Sequence, residues 1–361
     1  MTVSDATQAN VAPTVYPRRV LLVSIPRTAS NLLLKVLDVY KQPKVLTSPQ
    51  GGYFFYPAFV AAAQNDMLSK PGEQWTEEEK SRVQQLFQEC FQSWEDWTEE
   101  AQKEKKIMFA KEHAFWIYNP ASLYKMMSGY DDPEFWKSLR CNIPKSYGPS
   151  QTYSPSNETV LSDEYLRSWQ LAFIIRHPAL SCPSFYRAMI KVKDQGYIDE
   201  DGIAGASMAN MSMRWTRKLY DWSMEQPDVP IPPPVVDAHD LIHSPEVLIK
   251  FCEQTGLDKD SLKFEWGGKD DVKKSLNWAA PDANADAAKK EEHRKAAEIL
   301  LGTLEASSGI IKDKAPANIN IDAEVAKWKV EFGDEVAQLL EKQTRDSMED
   351  YEYLKARRLT V

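Results

Sequence analysis

A chain of 361 residues that is 43% hydrophobic and 11% aromatic carries enough apolar material for its own core, which excludes a disordered or fibrous protein. Its 44 Lys and Arg stand against 53 Asp and Glu, a net charge of −9, so its surface as a whole is not made for nucleic acid or another polyanion. A small anion in a local basic pocket is compatible with that balance.

Residues 1–18 are polar and proline-interrupted, with no apolar h-region, and read as a flexible N-terminal arm ahead of a single domain over 19–361. No run of 18 apolar residues follows, and Cys90, Cys141, Cys182 and Cys252 show no Cys-x-x-Cys spacing. The expectation is a cytoplasmic protein with free thiols, no metal and no membrane partner. Residues 19–25 (RVLLVSI) form a short apolar run between Pro17 and Pro26, the pattern of a strand buried on both faces. Leu32, Leu33, Val36, Leu37 and Tyr40 then recur at helical spacing over 30–40, which gives strand, tight turn and helix, half of a βαβ unit.

Residues 47–58 (TSPQGGYFFYPA) read as a loop punctuated by glycine and proline, apolar enough to line a pocket. Thr76 with Glu79 is a capping box, and Val83, Phe87, Cys90, Phe91, Trp94 and Trp97 mark one face of the long helix it opens. Residues 107–115 and 171–176 are a second and a third apolar strand, and the Ser-, Pro- and Asn-rich stretch 142–160 between them reads as a loop or lid. Met208, Met211, Trp215, Leu219 and Trp222 form a helical stripe taken as core. A fourth strand is expected over 235–238, then a helix capped by Ser244 and closed at Gly256, a charged helix over 284–305, and one or two helices over 322–354 broken at Gly333. Strands alternating with helices predict a parallel α/β sheet with helices on both faces.

Three stretches carry candidate chemistry. Arg27-Thr28-Ala29-Ser30-Asn31-Leu32 lies where a strand hands over to a helix, so its N–H groups and Arg27 suit an anion, or else form an ordinary cap with a surface arginine. The period of two places Lys111 and His113 on one side of their strand and Glu112 on the other, which suits transfer of an anionic group with the histidine as base, or a packed histidine near Trp116. Arg176, followed by Ser184 and Arg187, ends a buried strand, where a guanidinium is costly unless it meets an anion or a carboxylate.

In order and spacing these motifs resemble the sulfotransferases that use 3'-phosphoadenosine 5'-phosphosulfate (PAPS), closest to divergent fungal members. The family's Tyr-Pro-Lys-Ser-Gly-Thr-Thr-Trp loop is similar to residues 25–32, its Lys-x-His to Lys111-Glu112-His113, and its arginine with a serine eight residues on to Arg176 and Ser184. The later strand and helix over 235–256 also resemble the family, so the core motifs cover 19–256 and leave 257–361 as a C-terminal helical region. Departures are Ala29 for the loop glycine, Leu32 for the adenine-stacking tryptophan, and no Arg-Lys-Gly motif; Lys289, Lys290, Arg294 and Lys295 are substitutes or a solvated helix face.

The resemblance implies a three-layer P-loop-like fold and sulfuryl transfer from PAPS, leaving PAP (3',5'-adenosine bisphosphate), to a small apolar or aromatic acceptor. His113 would be the base, with Lys111 and Arg27 stabilising charge. Residues Arg27 to Leu32 would hold the phosphosulfate, and Arg176 and Ser184 the 3'-phosphate. The acceptor would meet Tyr53, Phe54, Phe55, Tyr56, Phe115, Trp116 and Tyr118. Two other classes remain open at this point: an enzyme of secondary metabolism that sulfates in order to eliminate, and a non-catalytic nucleotide-binding protein. A nucleoside kinase is disfavoured by the absence of a Walker lysine.

Overall fold

The apolar runs assemble into one sheet in the computed structural model, which describes residues 18–48, 52–196, 200–227, 231–268, 295 and 299–361. Its strands are β1 (Arg19–Ser24), β2 (Val45–Thr47), β3 (Ile107–His113), β4 (Gln170–Ile175) and β5 (Val235–Asp237). They lie in the order β2-β3-β1-β4-β5, and all four neighbouring pairs are parallel. Because strand side chains alternate, Val20 and Leu22 of β1 enter one apolar core and Leu21 and Val23 the other. A strand buried on both sides cannot alternate with polar residues, which is why this run is apolar throughout.

The helices are α1 (Ser30–Leu37), α2 (Tyr56–Ala63), α3 (Glu77–Lys103), α4 (Pro120–Ser128), α5 (Pro133–Ser138), α6 (Asp163–Arg167) and α7 (Pro178–Asp194). They continue as α8 (Glu200–Asn210), α9 (Arg214–Met224), α10 (Ala238–His243), α11 (Val247–Thr255), α12 (Ile321–Phe332) and α13 (Asp334–Lys355). α1, α10 and α11 pack on one face through Leu33, Leu37, Leu241 and Phe251; α2, α3, α7, α9, α12 and α13 cover the other, with Trp94, Trp215 and Trp328 fully buried. The result is a three-layer α/β fold.

Several expected boundaries move. The stripe from Met208 to Trp222 spans two helices, α8 and α9, and the Trp215 indole donates to the Ala209 carbonyl at 2.9 Å, closing the end of α8. The second strand stops at His113, not 115, since its partner β1 ends opposite it at Ser24; Ala114–Ile117 turn into a 3-10 helix. β2 and the start of α2 at Tyr56 trim the expected loop 47–58 from both sides, and α1 ends at Leu37, where Asp38 turns left-handed.

The stretch 142–160 is pinned rather than lid-like. Asp163 accepts bonds from the Ser154 N–H (2.7 Å), the Asn157 amide (2.8 Å) and the Trp222 indole (2.9 Å). Gly256 closes α11 as expected, though Glu246 rather than Ser244 opens it, and Gly333 separates α12 from α13. Residues 1–17 of the N-terminal arm, Lys289, Lys290 and Arg294 lie outside the described residues, as does most of the charged segment 284–305.

Candidate active site

Arg27, Lys111, His113, Arg176 and Ser184 gather at the carboxyl edge of the sheet, on either side of the central strand β1. Chain connections run toward β2 after β1 and toward β5 after β4, so the switch of direction falls between these two strands, where open α/β sheets hold their ligands. After β1, Arg27 and Ala29 both adopt left-handed backbone, each with φ 65°. For residues bearing a Cβ this costs about 1–2 kcal/mol each. The Thr28 hydroxyl donates to the Ile25 carbonyl at 2.8 Å and fixes the turn from within. Ala29 caps α1 without a side-chain bond, and the first turn holds no acidic residue, so its N–H groups face outward toward any anion.

On the β3 side, Lys111 is fully buried and donates to the Asn31 amide oxygen, with its ammonium 4.4 Å from the centre of the Tyr53 ring. Burial pulls the Lys111 pKa down to about 7, against the opposing field of Glu112. His113 Nδ1 lies 3.0 Å from the Ser24 hydroxyl, and the imidazole packs against Trp116 at 4.5 Å and Tyr53 at 4.9 Å between ring centres. Burial first, and the Lys111 charge second, hold the imidazole well below its usual pKa and therefore neutral near pH 7. Glu112 points to the other face, as the period of two requires, and accepts the Phe55 N–H at 3.4 Å. Burial raises its carboxyl to about 8.

A glycine makes the close approach of the aromatic segment possible. Gly52 has φ 110°, and a Cβ there would sit 1.9 Å from the Lys111 carbonyl oxygen. The Tyr53 N–H donates to that same carbonyl at 2.9 Å, which lays the tyrosine across Lys111.

On the β4 side, Arg176 donates to the Arg27 carbonyl at 3.0 Å and to the Lys314 carbonyl at 2.7 Å, while its buried Nε has no partner among the described residues. Arg27 donates to the Ser184 hydroxyl of α7 at 3.1 Å and to the Leu300 carbonyl at 2.6 Å. Neither guanidinium pairs with a carboxylate among the described residues; Asp237 acts on Arg176 through its charge alone, against the lowering. Burial and the nearby Arg27 charge lower Arg176 to about 10, and burial also lowers Arg27. Arg187 does not join them; it pairs with Glu331 at 2.6 Å.

The aromatic candidates divide. Tyr53, Tyr56 and Trp116 cluster around His113, with Trp116 4.9 Å from Tyr56 between ring centres. Phe54, Phe55, Phe115 and Tyr118 instead turn into the core: Phe54 stacks on Trp94 at 5.6 Å, Phe55 meets the same indole edge-on, Phe115 packs on Trp215, and the Tyr118 hydroxyl donates to the Trp215 carbonyl. Phe55, Phe115 and Tyr118 are buried in the core and Phe54 packs partly buried against it, where an apolar ring gains most from leaving water. Leu32 lies partly buried against the core on the α1 side.

Sequence reasoning missed Ser24 and the carbonyls of Leu300 and Lys314. Nothing local marks them, because each meets its partner across a long stretch of chain. Among the described residues no three His, Cys, Asp or Glu cluster as a metal site requires, and no helix is long and apolar enough to cross a membrane.

No family model matches the sequence. The chain is 34% identical over 352 residues to sulfotransferase ppzF of Metarhizium rileyi (strain RCEF 4871), covering 95% of this chain and 96% of that protein. It is 34% identical over 365 residues to sulfotransferase ppzF of Metarhizium majus (strain ARSEF 297), covering 96% and 98%. Among solved structures, the sulfotransferase domain of the Synechococcus PCC 7002 olefin synthase is 14% identical, with a TM-score of 0.32 over 80% of this chain and 95% of that one. Relatives this similar along nearly the whole length, on an α/β sheet whose candidate residues meet at one edge, place the chain in the sulfotransferase family.

Proposed function

We propose that this sulfotransferase takes its sulfuryl group from PAPS and delivers it to a hydroxyl of a small apolar or aromatic acceptor. The observation that carries the donor is the pair of partly buried guanidinium groups, Arg27 and Arg176, that flank the turn after β1 with only neutral oxygens as hydrogen-bond partners among the described residues. Concentrated positive charge without a carboxylate is costly on its own and is offset by a multiply charged anion. PAPS, when bound, supplies an activated sulfuryl group and a 3'-phosphate.

In this reading Arg176 and Ser184 take the 3'-phosphate. The first-turn N–H groups of α1, with Ser30 and Asn31, hold the phosphosulfate. Thr28 contributes through its backbone, since its hydroxyl proton is committed to Ile25. Lys111 and Arg27 stabilise the charge that builds as the sulfuryl group moves, and the Asn31 contact keeps the ammonium aimed at the turn. His113, neutral and walled by Tyr53 and Trp116, takes the acceptor's hydroxyl proton. The same rings, with Tyr56, favour an apolar or aromatic acceptor. We place the reaction in the cytoplasm on the strength of four buried free cysteines.

Thermal unfolding with PAP and with ATP tests the donor. PAP at about 100 times its dissociation constant should stabilise the protein by about 2.7 kcal/mol, and ATP, which lacks the 3'-phosphate, by much less. Equal shifts with both nucleotides, or none with either, would reject PAPS as donor.

A further inference from the structure

We infer that Ser24, the last residue of β1, is a positioning residue that sets the tautomer and orientation of the His113 imidazole. The inference rests on the reading of His113 as base. Ser24 and His113 are direct register partners at the ends of two parallel strands, and the serine side chain is fully buried. Among the described residues its hydroxyl has two hydrogen-bond neighbours: the Glu112 carbonyl oxygen at 3.4 Å and His113 Nδ1 at 3.0 Å.

A carbonyl oxygen only accepts, and a hydroxyl has one proton to give. If that proton pointed at Nδ1, the oxygens of Ser24 and Glu112 would face each other with no hydrogen between them, deep in the protein. Both contacts are hydrogen bonds together only if Ser24 donates to Glu112 and accepts from Nδ1–H, and the Ser24 backbone carbonyl beside the ring is a second acceptor for an imidazole N–H. A neutral imidazole protonated at Nδ1 carries its free lone pair on Nε2. Nε2 has no protein partner among the described residues and belongs to a ring bounded by Tyr53 and Trp116, the rings that surround the proposed acceptor position. Ser24 thus leaves the second nitrogen able to receive a proton, and removing its hydroxyl takes away one of the two Ser24 acceptors that hold off the Nε2–H form, which cannot.

The test uses the full chain with 15N-labelled histidine. Five histidines keep the spectrum simple, and the His113→Asn variant identifies the His113 signals by their disappearance. In the wild type the His113 shifts are expected to report Nδ1–H with a bare Nε2; in Ser24→Ala they should move toward the other tautomer. In parallel, Ser24→Ala should lower kcat by about 10- to 100-fold with the donor and acceptor KM values nearly unchanged. Ser24→Thr, which keeps the oxygen on a strand that tolerates β-branching, should recover most of it.

An Nε2–H tautomer in the wild type, or an unchanged tautomer in Ser24→Ala, overturns the inference, and the wild-type spectrum decides the first point even if a variant does not fold. Its failure is distinguishable from failure of the base assignment. His113→Ala retaining full turnover removes the base while the tautomer readout still stands by itself, whereas an inactive His113→Ala beside an indifferent Ser24→Ala removes Ser24 alone.

Discussion

The two sides of β1 bring cations to the same sheet edge in opposite ways. On the β3 side, Lys111 and His113 are enclosed by aromatic rings, and burial moves both toward neutrality near pH 7. On the β4 side, Arg27 and Arg176 remain charged even with lowered pKa values, because a guanidinium starts so high, and their protein partners are carbonyl and hydroxyl oxygens. An imidazole held neutral can accept a proton, whereas a guanidinium that stays charged can only attract. The difference is the one expected if, as proposed, proton transfer belongs to the β3 side and anion binding to the β4 side.

Separating the two sides by mutation is the most direct way to break this division. His113→Ala is expected to lower turnover at saturating PAPS by about 100- to 10,000-fold while PAP affinity stays within a few-fold. A wild-type rate, measured as sulfate transferred to any competent acceptor, would make His113 a packing residue. Arg176→Ala should do the reverse, weakening PAP binding by about 1.5–3 kcal/mol, or roughly 10- to 150-fold, with kcat at saturation little changed. Calorimetry that finds PAP affinity unaltered in Arg176→Ala would move the 3'-phosphate elsewhere.

A pH series sharpens the same contrast with a smaller effect. Lys111 is charged when protonated, so a pKa lowered to about 7 means that its charge is present below pH 7 and lost above it. If that charge serves donor capture in the free enzyme, kcat/KM for PAPS should fall about fivefold between pH 7 and pH 8. Lys111→Arg keeps its charge throughout and should remove the fall. A flat wild-type profile across that interval would show that Lys111 works without its charge or keeps its proton to higher pH.

How much of this was legible beforehand depended on whether the signal was local. The buried strand β1, the capping box at Thr76 and the stripe from Val83 to Trp97 are written in consecutive or helically spaced residues, and the sheet and its long helix follow from them. Arg27, Lys111, His113 and Arg176 could be found because residues at strand ends converge in a parallel sheet whatever lies between. What could not be read was the choice among adjacent aromatics. Tyr53 reaches Lys111 while Phe54 and Phe55 turn to Trp94, and this depends on Gly52 allowing the chain to lie against β3, a contact between segments about sixty residues apart. The Ser24 contact was hidden in the same way by strand register.

The smallest effect lies in the turn that joins the two sides. Ala29 holds φ 65° and ψ 22° at the cap of α1, a conformation that suits glycine. Relieving the Cβ should return about 1–2 kcal/mol. Against this, glycine frees the unfolded chain at a cost of about 0.4–1 kcal/mol, and the methyl's partial packing against the α1-side core is lost. The balance predicts that Ala29→Gly is more stable by about 0.5 kcal/mol in urea unfolding. PAP affinity should change less than twofold, because the N–H groups of the turn stay where they are. Arg27 shares the left-handed backbone but not the remedy: Arg27→Gly relieves the same strain and deletes the guanidinium that joins Ser184 to Leu300, so its PAP affinity should fall even where its stability rises. If Ala29→Gly instead lowers stability, the turn is held by its methyl rather than strained by it, and the alanine is there for packing.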